Sequence, residues 1–186
     1  TIRSADHILV LEGGQVVEQE DIRDLCAYAR RFGIEVIPCM QVLAHLEGSL
    51  RWHEFAPITD TGNILLVGDE RVYAFIECMI KTQRECFPNC RRIHIGMDEA
   101  WLLGAGQYLV KNGYRPRHEI LREHLQRVVQ ICAKYDFKPM MWSDMFFRLA
   151  GKNLENFTDY DVRVQLDESI GEKVPSIMQQ VFWDYY

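Results

Sequence analysis

The stretch RHEILREHLQRVVQICAKYDFKPMMWSDM, residues 117–145, decides the fold. Its first part has apolar residues at three- and four-residue spacing, which predicts an amphipathic helix over 117–134. An almost continuous apolar run follows from Phe137 to Met145, and such a run is typical of a strand buried on both faces. A helix that leads directly into a doubly buried strand indicates one unit of a parallel α/β sheet.

The same helix-then-strand unit recurs along the chain. Helical spacing predicts two more helices over 20–32 and 69–87, and apolar runs follow them over 34–40 and 92–97. A further strand is expected over 177–183. This alternation implies right-handed crossovers and a parallel sheet, with polar site residues at the carboxyl ends of the strands. Closed barrels and open α/β sheets both satisfy the pattern.

Composition limits the partners that the protein can have. A chain of 186 residues with 48% hydrophobic content can bury one sizeable core. A formal net charge of -6 argues against nucleic acid and against an anionic membrane surface. No apolar run approaches the roughly 20 residues needed to cross a bilayer. The N-terminus also lacks a basic region followed by an apolar one, so we expect a soluble, cytoplasmic protein. The six cysteines have no paired CxxC spacing, so we expect reduced core thiols.

Residues 1–19 differ in character from the rest of the chain. Ile8 to Leu11, the glycines Gly13 and Gly14, and Val16 with Val17 predict a β-hairpin with a glycine turn. We therefore expect a hairpin-like segment over 1–19 and an α/β domain over 20–186.

The segment RIHIGMDEAW, residues 92–101, places two acids directly after a predicted strand. Asp98 and Glu99 repel each other there, and burial favours the protonated form of one of them. One acid and one anion is the division that glycosidic cleavage requires. The same two residues are also typical of an N-cap and first-turn acid of a following helix. The spacing alone leaves both interpretations open.

The motif HIGMDE, residues 94–99, resembles the His/Asn-x-Gly-x-Asp-Glu signature of the β-N-acetylhexosaminidases. These glycoside hydrolases use the acetamido group of their own substrate as the nucleophile. Four further blocks are similar to the same family in the same order, closest to a bacterial branch without the usual accessory domain: FGIEVIPCMQVLAHL (32–46), ILLVGDE (64–70), HLQRVVQICAKYDFKPMMWSDMFFRL (124–149) and VFWDYY (181–186). The resemblance covers about residues 20–186. It implies an α/β fold, a partial (β/α)8 TIM barrel with about four to five parallel strands and their helices.

The resemblance also implies a role for each matching residue. Glu99 falls on the general acid/base, Asp98 on the carboxylate that accepts the acetamido N–H, and His45 on a histidine that hydrogen-bonds to the acid pair. The expected substrate-binding residues are Trp142, Trp183, Asp144, Tyr185 and Trp52. The alternative interpretation of His45 is a core or loop histidine, and tryptophan after a strand is otherwise ordinary core material.

The implied reaction is retaining hydrolysis of terminal, non-reducing β-linked N-acetylglucosamine or N-acetylgalactosamine through an oxazolinium. It uses neither a metal nor an organic cofactor. His118 and His124 are six residues apart on a predicted helix and point in different directions, so no metal site is expected there. The alternative function is a non-catalytic N-acetyl-sugar-binding remnant, which keeps the aromatic pocket without turnover.

Two features depart from the family pattern. The stretch TIRSADHILVLEGGQVVEQ, residues 1–19, resembles a segment of ATP-binding cassette transporters instead, although the chain has no phosphate-loop motif. A complete (β/α)8 barrel takes about 250 residues, and the family's first strand and last two strands have no counterpart here. We therefore expect weak or absent turnover by the isolated chain, and self-association through exposed barrel edges.

Overall fold

The computed structural model describes residues 10–12, 15–17, 19–150 and 174–183. Helices and strands follow one another along the chain in this order: β1 (Val10–Glu12), β2 (Gln15–Val17), α1 (Gln19–Arg30), α2 (Glu47–Leu50), a 3-10 helix (His53–Ile58), β3 (Thr59–Thr61), β4 (Ile64–Leu65), α3 (Glu70–Cys86), β5 (Arg92–His94), α4 (Gln107–Asn112), α5 (Arg117–Lys134), β6 (Lys138–Trp142), α6 (Asp144–Ala150) and β7 (Gln179–Val181).

Strands β5, β6 and β7 form a parallel sheet in that order. His94 lies opposite Met140 in the register between β5 and β6. Backbone bonds carry this ladder beyond the strand ends: the Ile95 N–H donates to the Met140 carbonyl at 2.8 Å, and the Trp142 N–H donates to the Gly96 carbonyl at 3.2 Å. The carboxyl ends of the three strands therefore lie at one edge, which confirms the predicted parallel sheet.

The strand predicted over 34–40 is much shorter than expected. Only Cys39 makes a parallel bridge, and its partner is His94 on β5. The His94 N–H donates to the Pro38 carbonyl at 2.8 Å, and the Met40 N–H donates to the His94 carbonyl at 2.9 Å. Proline has no N–H, so it cannot donate to a ladder, and pairing stays limited to this one point. The segment is nevertheless a fourth strand-like member beside β5.

The three predicted helices are confirmed as α1, α3 and α5. Helix α3 begins where it does because the Asp69 carboxylate accepts a hydrogen bond from the Arg71 N–H at 3.0 Å, an N-cap contact. Helices α3 and α5 pack against each other, and each contributes buried residues to the same apolar core: Val72, Ile76, Ile80, Leu121, Leu125 and Val128. Full burial of each such side chain contributes about 1.5–3 kcal/mol. None of the described helices is both long and apolar enough to cross a bilayer.

Other boundaries differ from the predictions. The strand expected over Phe137 to Met145 ends at Trp142, because helix α6 begins at Asp144. The N-terminal hairpin is confirmed in its paired part, where Leu11 lies opposite Val16 in an antiparallel register. The division of the chain at residue 19 stays a prediction, as does self-association.

Cysteine burial follows the prediction only in part. All six cysteines are free thiols. Cys86, Cys90 and Cys132 are buried as expected, whereas Cys39 is exposed.

His124 on α5 is completely buried, and this predicts an acid-sensitive fold. Burial lowers the pKa of His124 to about 4, below the ordinary value of 6.5. Below pH 6.5 the unfolded chain therefore binds a proton that the folded chain does not bind. We expect the free energy of unfolding to fall by up to about 3 kcal/mol as the pH drops from 6.5 towards 4. Urea unfolding at pH 7 and pH 4.5 measures this change, and a His124→Gln variant should show a smaller one. An equally steep dependence in that variant would contradict the assignment to His124.

Candidate active site

The two acids leave β5 through a backbone turn in the left-handed region. Gly96, Met97 and Glu99 have φ angles of 67°, 70° and 51°. Such angles cost non-glycine residues on the order of 1 kcal/mol or more. A Cβ added at Gly96 would lie 2.0 Å from Oε1 of Gln41, so any other residue there would displace the Gln41 side chain and would also have to adopt the left-handed angle. The turn leaves Asp98 and Glu99 adjacent at the carboxyl edge of the sheet.

His45 lies between the two carboxylates. Its Nε2 is 3.2 Å from Oδ2 of Asp98 and 3.3 Å from Oε2 of Glu99. The side chains of His45 and Glu99 are 35% and 37% exposed, whereas that of Asp98 is 18% exposed. One edge of the imidazole ring therefore faces both carboxylates within ion-pair distance. Glu99 keeps the more accessible carboxylate of the two.

Gln41 orients Asp98 from the other side. Its Nε2 donates to Oδ1 of Asp98 at 2.9 Å, and its Oε1 accepts from the Met97 N–H at 3.1 Å. The Met97 N–H can only donate, so the oxygen of the Gln41 amide faces Met97 and its nitrogen faces Asp98. The amide therefore holds the Asp98 carboxylate as a hydrogen-bond acceptor.

Asp144 supports Glu99 through the backbone. Its Oδ2 accepts from the Glu99 N–H at 3.0 Å, and the side chain is fully buried. Asp144 is the first residue of α6, so this bond ties Glu99 to the element that follows β6. A hydrogen bond to a charged group contributes about 1.5–3 kcal/mol, which offsets the cost of the left-handed angle at Glu99.

His94 connects the turn to Trp142. Its Nδ1 accepts from the Gly96 N–H at 3.1 Å. Burial lowers the pKa of His94, against the opposing charge of Asp98, so the ring is neutral near neutral pH. The Trp142 ring packs on it with 4.5 Å between ring centroids. Trp142 is thereby placed beside the turn that carries the acids.

Comparison with known proteins decides the family. The model of the glycosyl hydrolase family 20 catalytic domain matches residues 4–174. This chain belongs to glycosyl hydrolase family 20. The family resemblance of the motif HIGMDE is thereby confirmed, whereas the transporter resemblance of residues 1–19 gains no support.

Family 20 relatives match most of the chain. Hexosaminidase D of Bos taurus is 25% identical over 96% of this chain and 50% of its own length. Hexosaminidase D of Homo sapiens is 24% identical over 89% of this chain and 32% of its own length. The chain thus spans half or less of the length of these two relatives.

Solved structures show the fold. The exo-β-N-acetylglucosaminidase of Vibrio harveyi matches with a TM-score of 0.61 and 19% identity, over 90% of this chain and 25% of that one. The β-N-acetylhexosaminidase of Bacteroides fragilis matches with a TM-score of 0.62 and 16% identity, over 89% and 31%. The predicted fold, part of a (β/α)8 barrel, is confirmed.

The structure brings some of the predicted family 20 site residues together and leaves others apart. The His45 ring lies within 3.3 Å of both acids, and the Asp144 carboxylate accepts a hydrogen bond from the Glu99 N–H. Trp142 lies next to the turn that carries the acids. Trp183 follows β7 by two residues, at the same edge of the sheet. Trp52 is 57% exposed, and the Arg51 guanidinium lies 5.0 Å from its ring centroid. Tyr185 lies outside the described residues.

The helix-cap interpretation of the acid pair is wrong. The next helix, α4, begins at Gln107, with Gly106 at its N-cap. The loop before it is held by the buried Asp60, whose Oδ2 accepts from the Gly104 N–H and whose Oδ1 accepts from the Tyr108 N–H, both at 2.8 Å. Asp60 takes the capping role that the sequence pattern had offered to Asp98 and Glu99.

Sequence reasoning missed Gln41, His94 and Asp60. An isolated amide in an apolar run was the available signal for Gln41, and two-residue spacing with Gly96 and Asp98 was the signal for His94. Asp60 had no local signal, because its partners lie more than 40 residues away, at separations of 44 and 48. Within the described residues, no three His, Cys, Asp or Glu side chains are arranged to hold a metal ion.

A cavity of about 340 Å³ lies elsewhere, lined by Arg23, Glu35, Phe87 and Asn89 among others. Its lining residues come from α1 and from the segments 33–36 and 87–90, which precede the Cys39 bridge and β5. The cavity therefore lies at the amino-terminal edge of the sheet. Barrel enzymes place their chemistry at the carboxyl edge. The acid pair, and not this cavity, therefore marks the candidate active site.

Proposed function

We propose that this chain carries the catalytic carboxylates of a glycoside hydrolase that removes terminal, non-reducing β-linked N-acetylglucosamine or N-acetylgalactosamine. The observation that carries the proposal is the His45 ring, placed 3.2 Å and 3.3 Å from two adjacent carboxylates at the carboxyl edge of a family 20 barrel. The names of the relatives, a hexosaminidase and an exo-β-N-acetylglucosaminidase, support the substrate class.

In the first step Glu99, as a carboxylic acid, donates its proton to the glycosidic oxygen while the bond from that oxygen to C1 breaks. The acetamido carbonyl oxygen of the same sugar forms a new bond to C1 on the opposite face and gives an oxazolinium. Asp98 accepts the acetamido N–H, which aims the carbonyl oxygen and stabilises the positive charge. Gln41 and His45 hold Asp98 in this orientation.

In the second step water attacks C1 from the face that the leaving group vacated. The Glu99 carboxylate takes the proton of the water, and the bond from C1 to the acetamido oxygen breaks. The acetamido group and Glu99 return to their starting states, and the anomeric configuration is retained. The mechanism assigns no step to a metal or an organic cofactor.

The remaining predicted residues shape the pocket in this proposal. Trp142 and Trp183 wall the space for the acetamido methyl, since indole faces suit sugar C–H groups. Asp144 supports Glu99, Tyr185 reaches the acetamido carbonyl, and Trp52 contacts the leaving group. A cytoplasmic location is also proposed, and the absence of a disulfide among the six cysteines supports it.

Asp98→Asn tests the proposal against the sugar-binding remnant. We expect hydrolysis of a fluorogenic aryl N-acetyl-β-D-glucosaminide to fall about 10²-fold, because an amide stabilises the oxazolinium less well than a carboxylate. Asp24→Asn, an exposed change on α1, is the matched control and should leave the rate unchanged. Binding of N-acetylglucosamine, followed by ligand-observed NMR, should persist in both variants.

Two outcomes contradict the hydrolase. In the first, the wild-type chain binds N-acetylglucosamine but shows no turnover even at high enzyme concentration, which identifies a sugar-binding remnant. In the second, turnover occurs and is the same in Asp98→Asn as in the control, which removes Asp98 from the mechanism.

A further inference from the structure

The segment 41–45 connects the acid pair to the interior of the protein. Its two end residues, Gln41 and His45, both contact Asp98. The three residues between them, Val42 to Ala44, are completely buried. The position of this buried backbone therefore sets how well the two end side chains reach the carboxylates.

Helix α5 holds that backbone through one side chain. Nε2 of His124 lies 2.9 Å from the Val42 carbonyl oxygen. A carbonyl only accepts, so Nε2 carries the hydrogen, and Nδ1 makes no hydrogen bond among the described residues. The His124 ring is completely buried and lies against Tyr73, with 5.6 Å between ring centroids. Packing therefore holds the His124 Nε2–H in one orientation, directed at the Val42 carbonyl oxygen.

The contact lies beside the chemistry. Val42 directly follows Gln41, and its neighbour Leu43 is held from the other side by the Leu65 N–H at 2.9 Å. The segment is therefore fixed between α5 and β4. An apolar residue at position 124 would fill the core equally well, but it would leave a buried carbonyl without a donor, at a cost that histidine avoids.

We propose that His124 is a positioning residue, which holds the 41–45 segment in place so that Gln41 and His45 meet the two carboxylates. The catalytic part of this inference rests on the proposed glycosidase function. The structural part, that His124 controls the contact between Gln41 and Asp98, does not depend on turnover.

A pair of substitutions separates positioning from general stability. His124→Gln keeps an amide donor at the distance of Nε2, whereas His124→Asn carries the same amide one methylene shorter and cannot reach the carbonyl. Val128→Ala, a buried position one turn along α5, is the control for lost packing. Should His124→Asn not fold, His124→Phe replaces it, because a phenyl ring fills the space without a donor.

The first readout is the side-chain amide resonance of Gln41 in a ¹⁵N–¹H spectrum, assigned by its loss in Gln41→Leu. We expect it to stay in place in His124→Gln and Val128→Ala, and to move towards the position of a free glutamine amide in His124→Asn. The second readout is steady-state hydrolysis. There kcat should fall between about 10-fold and 10²-fold in His124→Asn with KM nearly unchanged, because misplacement acts mainly on the reacting geometry.

The two readouts distinguish the possible failures. If wild-type chain binds N-acetylglucosamine but shows no hydrolysis even at high enzyme concentration, the sugar-binding remnant replaces the proposed hydrolase, and the Gln41 resonance still tests His124. If the resonance and kcat are unchanged in a folded His124→Asn or His124→Phe, the positioning role is overturned. The role is also overturned if Val128→Ala lowers kcat as much as His124→Asn at equal loss of stability.

Discussion

Replacing Glu99 with glutamine should lower kcat/KM for an aryl N-acetyl-β-D-glucosaminide by about 10³-fold, within the range typical of a lost general acid. Glutamine keeps the size of the side chain and a polar contact to His45 but has no acidic proton for the glycosidic oxygen. The loss should appear in kcat, because the sugar-binding groups are untouched. Fluorogenic assays at high enzyme concentration measure it even if wild-type turnover is weak.

Glu20→Gln, an exposed change on α1, is the matched control and should behave as wild type. A further check uses substrates that release phenols of low pKa. These need little protonation, so their hydrolysis should be less impaired in Glu99→Gln. Equal loss for good and poor leaving groups would remove Glu99 from the role of proton donor.

Replacing Gly106 with alanine should destabilise the fold by about 3 kcal/mol or more. An added Cβ would lie 1.9 Å from the backbone carbonyl oxygen of Asp60, and backbone cannot move aside as a flexible side chain can. The shift would also strain the two bonds from Gly104 and Tyr108 to the Asp60 carboxylate. In a chain of this size the Tm should fall by roughly 10 °C.

Gly48→Ala is the matched control, because a Cβ there meets no atom within 4 Å and the residue lies in helix α2. We expect that variant to be as stable as wild type or slightly more so, since alanine favours a helix. Urea unfolding of both variants measures the difference. A Gly106→Ala variant within about 0.5 kcal/mol of wild type would show that the loop does not pack on Asp60 as described.

Much of the site was predictable because its expected catalytic residues lie in short sequence motifs. Asp98 and Glu99 are adjacent in the sequence, and His45 lies near the end of the block 32–46, which resembles the same family. The roles of Gln41 and Asp60 were not predictable. Both depend on contacts between residues far apart in the chain, and neither lies in a pattern that distinguishes a site residue from an ordinary polar one.

His124 shows the same limit in a sharper form. The sequence suggested only a histidine on a helix. A role as a metal ligand was rejected because His118 and His124 point in different directions on that helix. Helical periodicity states which face of α5 is buried, but the buried face of a helix has many possible neighbours. Only the packed structure shows that this histidine meets the Val42 carbonyl, beside the residues that hold the acid pair.

By itself, the sequence determined the three long helices, the parallel order of the strands and the identity of the acid pair, because periodicity and motif are local properties of the chain. The tertiary structure decided which side chains reach those acids, where the strand over 34–40 shortens to one bridge, and that Asp60, not Asp98, holds the start of α4. Those outcomes depend on how separate segments pack against each other. No local pattern encodes that packing, because many different segments could pack against the same buried helix face and only the folded structure shows which one does.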